Sequence, residues 1–209
     1  MISNDRSYTY SEIDKLIDAV CIKFEKFGLL SGEIISIILK NSVEYVLFYL
    51  AALRMGCIIN PYPYNLESKD AIRYLENVNP KILFCHKGHY EYMKNHAKSQ
   101  VILVDGDFLD KLDGSKNHVG FKPEQKSPAC IYYSSGTTGN PKSVVFSHKN
   151  MLSNISSICR GFKFNEQEIH LIILPMGHTA SVNYSFLPCT LLGGTLLITE
   201  SFWKIRQNF

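Results

Sequence analysis

The residues with the clearest capacity for chemistry lie in one loop, which reads YYSSGTTGNPK at positions 132–142. Ser134 to Asn140 are all small and polar, and a Pro-Lys pair follows them. Glycines let backbone N–H groups approach a ligand closely, and hydroxyl groups add donors without bulk. Lys142 adds a mobile positive charge that can follow a chain of phosphates. The residue types therefore suit a nucleoside triphosphate.

Two other interpretations of this loop are weaker. A Walker A loop needs Gly-x-x-x-x-Gly-Lys-Ser/Thr running directly into a helix, whereas here Pro141 precedes the lysine and the β-type run SVVFS follows it. A polar hairpin turn also uses Gly, Thr and Asn-Pro. Seven consecutive residues of these types exceed what a turn requires, so the pattern favours a binding loop.

The segments before the loop predict alternating helices and strands. Residues 11–28 have apolar side chains at helical spacing, with Ser11 as a plausible N-cap and Gly28 as the stop. Residues 33–40 form a continuous apolar run, which is typical of a strand covered on both faces. A second helix is predicted at 41–56, capped by Asn41 or Ser42 and ended by Gly56.

The same alternation continues to the end of the chain. Further strands are predicted at 57–60, 81–85, 101–105, 129–133, 143–147, 169–175 and 195–199, and further helices at 67–78, 88–97, 148–162, 178–194 and 201–209. This order predicts an α/β fold of layered sheets with flanking helices, built mostly from parallel βαβ units. The polar stretch 105–127 is predicted to connect a first portion (1–104) to a second (128–209) that carries the loop.

Composition narrows the class of protein. The chain has 209 residues, 45% hydrophobic and 20% charged, so it can bury a substantial core. Its net charge of +3 is spread without basic runs, which argues against a nucleic-acid partner. The longest apolar stretch, residues 45–59, is shorter than the roughly 20 residues of a membrane span. Six widely spaced cysteines in apolar surroundings predict free thiols in a cytoplasmic protein.

One cluster could hold a metal: Cys85, His86, His89 and His96. Zinc sites use such ligands, but no second ligand pair appears at a recognisable spacing. A surface helix with ordinary histidines is the better prediction, and we predict no metal ligands from the protein.

The loop also resembles a known family. Residues 134–142 are similar to the signature phosphate loop of the AMP-forming adenylating enzymes, the superfamily of acyl-CoA synthetases, luciferases and peptide-synthetase adenylation domains. Other family-like segments occur in the family's order at YTYSEIDKL (8–16), ALRMGCIINPYPYN (52–65), His148 and ILPMGHTASVNYSFLPCTLLGGTLLI (173–198). The resemblance covers nearly the whole chain.

This resemblance implies a two-step reaction. In the presence of Mg²⁺, a carboxylate first attacks the α-phosphate of ATP, which gives an acyl-adenylate and pyrophosphate. A thiol, usually that of coenzyme A, then takes the acyl group. The implied phosphate-binding residues are Ser134, Ser135, Gly136, Thr137, Thr138, Gly139 and Lys142. His178 matches a catalytic position near the adenylate and acyl group, although a helix-capping or core histidine is an equal alternative. Ala180 and Ser181 would border the acyl pocket.

The same resemblance also indicates the class of substrate and which of the family's motifs this chain contains. Amino-acid-activating members carry a Phe-Asp pair where this chain has Gly177 to Ala180 without an acid, so an organic acid, fatty or aryl, is expected.

Ser143 replaces the usual glycine, and nothing matches the family's metal-binding glutamate, ribose-binding aspartate or C-terminal lysine. The chain is therefore expected to be the N-terminal portion of a ligase that adenylates weakly or not at all without its missing C-terminal part. The alternative is a truncated, inactive module that binds a nucleotide or a partner. An uncovered apolar surface would promote homo-oligomers.

Overall fold

The computed structural model describes residues 1–3, 6–134 and 142–199. Ten strands lie in these ranges: β1 (Ile2–Ser3), β2 (Arg6–Ser7), β3 (Ile34–Ile38), β4 (Ile58–Pro61), β5 (Ile82–Cys85), β6 (Gln100–Leu103), β7 (Pro128–Ser134), β8 (Lys142–Ser147), β9 (Ile169–Ile172) and β10 (Thr195–Ile198). They form a six-stranded sheet in the order β6-β5-β3-β4-β7-β8 and a four-stranded sheet in the order β2-β1-β10-β9.

Most neighbouring strands are parallel, as the alternation of helices and strands predicts. In the large sheet, the five strands β6, β5, β3, β4 and β7 run parallel to one another, and β8 runs antiparallel to β7. In the small sheet β1, β10 and β9 are parallel, and β2 is antiparallel to β1. The predicted α/β fold class is confirmed.

The helices connect these strands. They are α1 (Tyr10–Lys26), α2 (Val43–Met55), α3 (Ser68–Val78), α4 (Lys87–His96), α5 (His148–Phe162), α6 (Thr179–Ser181) and α7 (Leu187–Leu192). A π-helical turn (Val182–Phe186) joins α6 to α7, and Pro188, which has no N–H, lies at the start of α7 directly after this turn. The helix predicted at 201–209 lies outside the described residues.

Three of the predicted helix ends are confirmed and one is wrong. Gly28 follows α1 with φ +77°, and Gly56 ends α2 with φ +69°, both in the left-handed region that favours glycine. Ser42 caps α2 by accepting the N–H of Tyr45. The N-cap of α1 is Thr9 rather than Ser11, because Thr9 forms a reciprocal capping box with Glu12, three residues later.

The core lies on both sides of α2. This helix is apolar except for Glu44 and Arg54 near its ends, and Tyr45, Phe48 and Tyr49 are fully buried. Its neighbours in one continuous cluster include Ile37 of the large sheet and Leu196 of the small one. The first strand of the large sheet, β3, is buried on both faces, as predicted.

The large sheet combines strands from before and after residues 105–127, and the predicted division of the chain at this segment stays a prediction. Strand β7 comes after this segment yet pairs with β4, and β8 adds to the sheet through β7. Strand β1 pairs with β10 near the other end of the chain. The segment itself is mostly exposed and contains a short 3₁₀ turn at Leu109–Lys111. None of the helices in the described part of the chain combines the length and apolar character needed to cross a bilayer.

Candidate functional site

The β7–β8 hairpin places the ends of the predicted phosphate loop opposite each other. Ser134, the last residue of β7, pairs with Lys142, the first residue of β8. The Ser134 hydroxyl donates to the Lys142 carbonyl at 3.5 Å, and both residues are exposed. The five candidates Ser135, Gly136, Thr137, Thr138 and Gly139 lie outside the described residues, so their phosphate contacts stay predictions.

Two tyrosines on β7, Tyr132 and Tyr133, anchor the base of the 134–142 loop on opposite faces of the sheet. The Tyr133 hydroxyl donates to the carbonyl of Tyr74 at 2.9 Å and therefore accepts from the Tyr62 hydroxyl, 3.1 Å away. The hydroxyl of Tyr132 lies 3.3 Å from that of Tyr49 in the core. Burial raises the pKa of both Tyr132 and Tyr133, so the phenols stay neutral at physiological pH. The loop therefore begins from a firmly held strand end.

A buried amide reinforces the same region. Asn60 on β4 donates from Nδ2 to the Ile131 carbonyl at 2.9 Å, and its Oδ1 accepts from the Ser36 hydroxyl at 2.9 Å. Both polar side chains are fully buried. Because buried polar groups persist only when they are hydrogen-bonded, this pair ties the middle of β3, β4 and β7 together.

Gly177 brings the family-like segment 173–198 into contact with the family-like segment 52–65. A Cβ atom on Gly177 would lie 2.2 Å from the backbone nitrogen of Pro63 and from the carbonyl carbon and oxygen of Tyr62. The two backbones therefore touch with no space for a side chain. Tyr62 thus contacts both the base of the hairpin, through Tyr133, and the segment that carries His178.

His178 is presented to solvent at the start of α6. Its backbone N–H donates to the Pro175 carbonyl at 3.0 Å, whereas its ring makes no capping hydrogen bond. The residue is exposed. His178 therefore occupies the N-cap position of α6 without a side-chain hydrogen bond, and its exposure rules out a core histidine. Its contact with an adenylate or acyl group stays a prediction.

The two other acyl-pocket candidates differ in accessibility. Ala180 is exposed, while Ser181 is buried and donates its hydroxyl to the Leu174 carbonyl at 3.1 Å. The Ser181 hydroxyl therefore stabilises the segment that precedes His178. Whether either residue borders an acyl group stays a prediction.

The remaining histidines of the family-like and metal-like patterns have other surroundings. His148 begins α5 at the far end of the hairpin from the loop, and burial lowers its pKa. His86 caps α4, His89 lies between the Ser68 hydroxyl and the Tyr64 carbonyl, and His96 stacks on Tyr92. In the part of the chain that the structure describes, no three potential ligands converge on a metal position.

An apolar cavity lies apart from this site. Its volume is about 240 Å³, and its lining comes from Met1, α1, α2, α7 and β10, including Ile13, Ile17, Leu50 and Leu196. Arg54 at its edge forms an ion pair with Asp14. The other polar residues of the lining also bond within the protein, since the Tyr10 hydroxyl donates to the Gly194 carbonyl and the Thr190 hydroxyl donates to the Phe186 carbonyl. The hairpin region is therefore the better candidate for chemistry.

Sequence reasoning missed two contributors to the site. Its position before α2 predicts only a helix cap for Asn41, yet its side chain bonds backbone groups at positions 174, 176 and 199. The sequence marks Tyr62 only as part of the family-like segment 52–65. The proline-rich turn around Tyr62 is the available signal, but one of its partners, Gly177, lies more than a hundred residues away in the sequence.

Comparison with known proteins identifies the family. The family model for AMP-binding enzymes matches residues 1–208. The chain belongs to the AMP-binding enzyme family. Among curated members, 4-coumarate–CoA ligase 1 of Petroselinum crispum is 29% identical over 94% of this chain, and the match covers 39% of that ligase. 4-Coumarate–CoA ligase 3 of Arabidopsis thaliana is 25% identical over 96% of this chain, and the match covers 38% of that ligase.

Solved structures show the same fold for this AMP-binding chain. ATP-bound MatB from Rhodopseudomonas palustris superposes with a TM-score of 0.85 at 21% identity, over 95% of this chain and 41% of MatB. The N-terminal domain of FACL13 from Mycobacterium tuberculosis gives a TM-score of 0.85 at 22% identity, over 95% of this chain and 52% of that domain. The chain therefore spans about two fifths of the curated relatives' length.

Proposed function

We propose that this chain contributes the ATP-phosphate and acyl-binding part of an AMP-forming acid–thiol ligase. The observation that carries the proposal is the position of Tyr62, which joins the base of the 134–142 loop to the segment bearing His178. The nucleotide phosphates would bind at the hairpin, and the acyl group would lie beside His178. Membership of the AMP-binding family supports the same assignment.

The proposed chemistry has two displacements. A carboxylate oxygen attacks the α-phosphorus of ATP, the bond to the β-phosphate oxygen breaks, and pyrophosphate leaves. A thiolate then attacks the acyl carbonyl, and AMP leaves with its bonding electron pair. Ser134 and Lys142 would donate to phosphate oxygens as negative charge moves onto the leaving pyrophosphate. His178 would contact the adenylate near the acyl group.

The described residues fit ATP better than they fit a metal bound by protein alone. Ser134 offers a hydroxyl and Lys142 an ammonium group, both exposed on the same hairpin. Mg²⁺, when bound, would neutralise phosphate charge and would be held chiefly by the nucleotide. We propose coenzyme A as the thiol because the curated relatives are CoA ligases.

We further propose an organic carboxylic acid, aryl or fatty, as the substrate. Residues 177–180 carry no carboxylate that could pair with the ammonium group of an amino acid. The named relatives act on 4-coumarate, an aryl acid. Burying an unpaired ammonium group is costly, so this segment should disfavour aminoacyl ligands.

A titration with non-reactive adenylate analogues tests this function. We expect 4-coumaroyl or alkanoyl sulfamoyl adenosine to bind at least about tenfold more tightly than phenylalanyl sulfamoyl adenosine, which corresponds to about 1.4 kcal/mol. Sulfamoyl adenosine without an acyl group is the control, since it isolates the nucleotide contribution. Preference for the aminoacyl analogue would contradict the substrate proposal, and no binding of any analogue would contradict the function.

Two general properties complete the proposal. All six cysteines are free and buried, which supports a cytoplasmic location. Val145 on β8 and Ile169 on β9 expose 55% and 69% of their surface on edge strands. Exposed apolar edges of this kind support association with another polypeptide surface, including a homo-oligomer.

A further inference from the structure

Asn41 connects the two sheets next to the candidate acyl-binding segment. It follows β3 of the large sheet and is only 2% exposed. Its Nδ2 donates to the carbonyls of Leu174 at 3.0 Å and Thr199 at 3.2 Å, and its Oδ1 accepts the Met176 N–H at 2.8 Å. Both amide hydrogens and the amide oxygen are therefore used on the segments that follow β9 and β10.

Helix capping does not account for this residue. Ser42 is the N-cap of α2, and its hydroxyl accepts the Tyr45 N–H at 3.3 Å. The Asn41 side chain points instead across the gap between the sheets. A buried amide that meets three backbone groups is retained for the geometry it imposes, because each group left unpaired would carry a desolvation cost.

The segment that Asn41 holds has further anchors. The Tyr45 hydroxyl donates to the Met176 carbonyl at 2.6 Å, and the Ser181 hydroxyl shares the Leu174 carbonyl with Asn41. Gly177 is seated against the Tyr62–Pro63 backbone. The next residue, His178, is exposed. The backbone just before His178 is thus fixed, while its ring faces solvent.

We propose that Asn41 is a positioning residue that sets the place of His178 relative to the β7–β8 hairpin. This inference rests on the proposed function of His178 at the acyl group. Asn41 acts through Leu174 and Met176 and has no contact with the ligand. Tyr45 assists it by fixing the Met176 carbonyl. Displacing this segment should weaken acyl recognition and leave phosphate binding unchanged.

Two variants and one matched control test the inference. Asn41→Asp keeps one acceptor but turns the second oxygen toward the Leu174 and Thr199 carbonyls, and Tyr45→Phe removes only the Met176 contact. Tyr10→Phe is the control, because the Tyr10 hydroxyl bonds the Gly194 carbonyl at the other end of β10, at 2.8 Å. The His178 ring signals are followed by NMR, and affinities for 4-coumaroyl sulfamoyl adenosine and pyrophosphate are measured on the full chain.

We expect both variants to shift the His178 ring signals and Tyr10→Phe to leave them in place. Affinity for the acyl analogue should fall about tenfold in Asn41→Asp, while pyrophosphate affinity stays within about twofold, because a misplaced group loses only its own contacts. If Asn41→Asp does not fold, Tyr45→Phe carries the test. Unchanged His178 signals in the folded variants would overturn the inference. A wild-type chain that binds no analogue would contradict the proposed function instead, and the His178 signals would still judge the role of Asn41.

Discussion

At the scale of single residues, Gly177 determines how closely the two segments of the site approach each other. Its backbone lies against Tyr62 and Pro63 with no space for a methyl group. Gly161 in α5 is a glycine with open space around it, because a Cβ atom there would have no atom within 4 Å apart from its own helix backbone. The two glycines therefore separate the effect of steric contact from that of backbone flexibility.

We predict that Gly177→Ala destabilises the chain by roughly 2 kcal/mol, since overpacking against backbone atoms forces a local shift. Gly161→Ala should be neutral or slightly stabilising, because alanine favours a helix over glycine. Urea denaturation of the two variants measures the difference. Equal stabilities would show that the 62–63 and 174–178 segments do not touch in solution.

At the scale of elements, local signals defined most helices and strands, and they failed where two signals competed. The apolar spacing in α1 and the continuous apolar run in β3 predicted both elements, because burial requires these patterns. Thr9 and Ser11 are both good N-caps, and only the spacing from Thr9 to Glu12 distinguishes them.

This difference gives a direct prediction for α1. Thr9→Ala should lower the free energy of unfolding by about 1 kcal/mol, because the Glu12 N–H loses its acceptor. Ser11→Ala should have little effect, as Ser11 is an exposed residue within the first turn. Thermal or urea unfolding monitored by circular dichroism checks both. A larger loss in Ser11→Ala would contradict the observed cap.

The contacts that assemble the site were beyond sequence reasoning for a physical reason. The residue types of the 134–142 loop indicated phosphate chemistry, because each type has a known donor or charge. Asn41 and Leu174, in contrast, are 133 residues apart, and Tyr62 and Tyr133 are 71 apart. Periodicity carries no information about pairs at such distances. The role of Asn41 emerged only from the folded arrangement.

At the scale of the whole molecule, each of the two sheets pairs strands that are far apart in the sequence. Strand β1 near the start pairs with β10, and β7 pairs with β4 across the exposed 105–127 segment. Helix α2 is buried between the sheets and carries Tyr45, which touches the His178 segment. The candidate phosphate and acyl regions are therefore held by one continuous core, which supports their action on a single ligand.

The most direct test of the central claim, that the hairpin binds the phosphates of ATP, is calorimetric titration of the chain with ATP, pyrophosphate and AMP. ATP and pyrophosphate should bind, and AMP should bind at least about tenfold more weakly because it lacks the terminal phosphates. Lys142→Ala should weaken ATP and pyrophosphate about tenfold. Lys149→Ala, an equal charge change at the other end of the hairpin, should have little effect, since exposed charges are screened beyond about 8 Å. Unchanged ATP affinity in Lys142→Ala, or AMP binding as tight as ATP, would contradict the account.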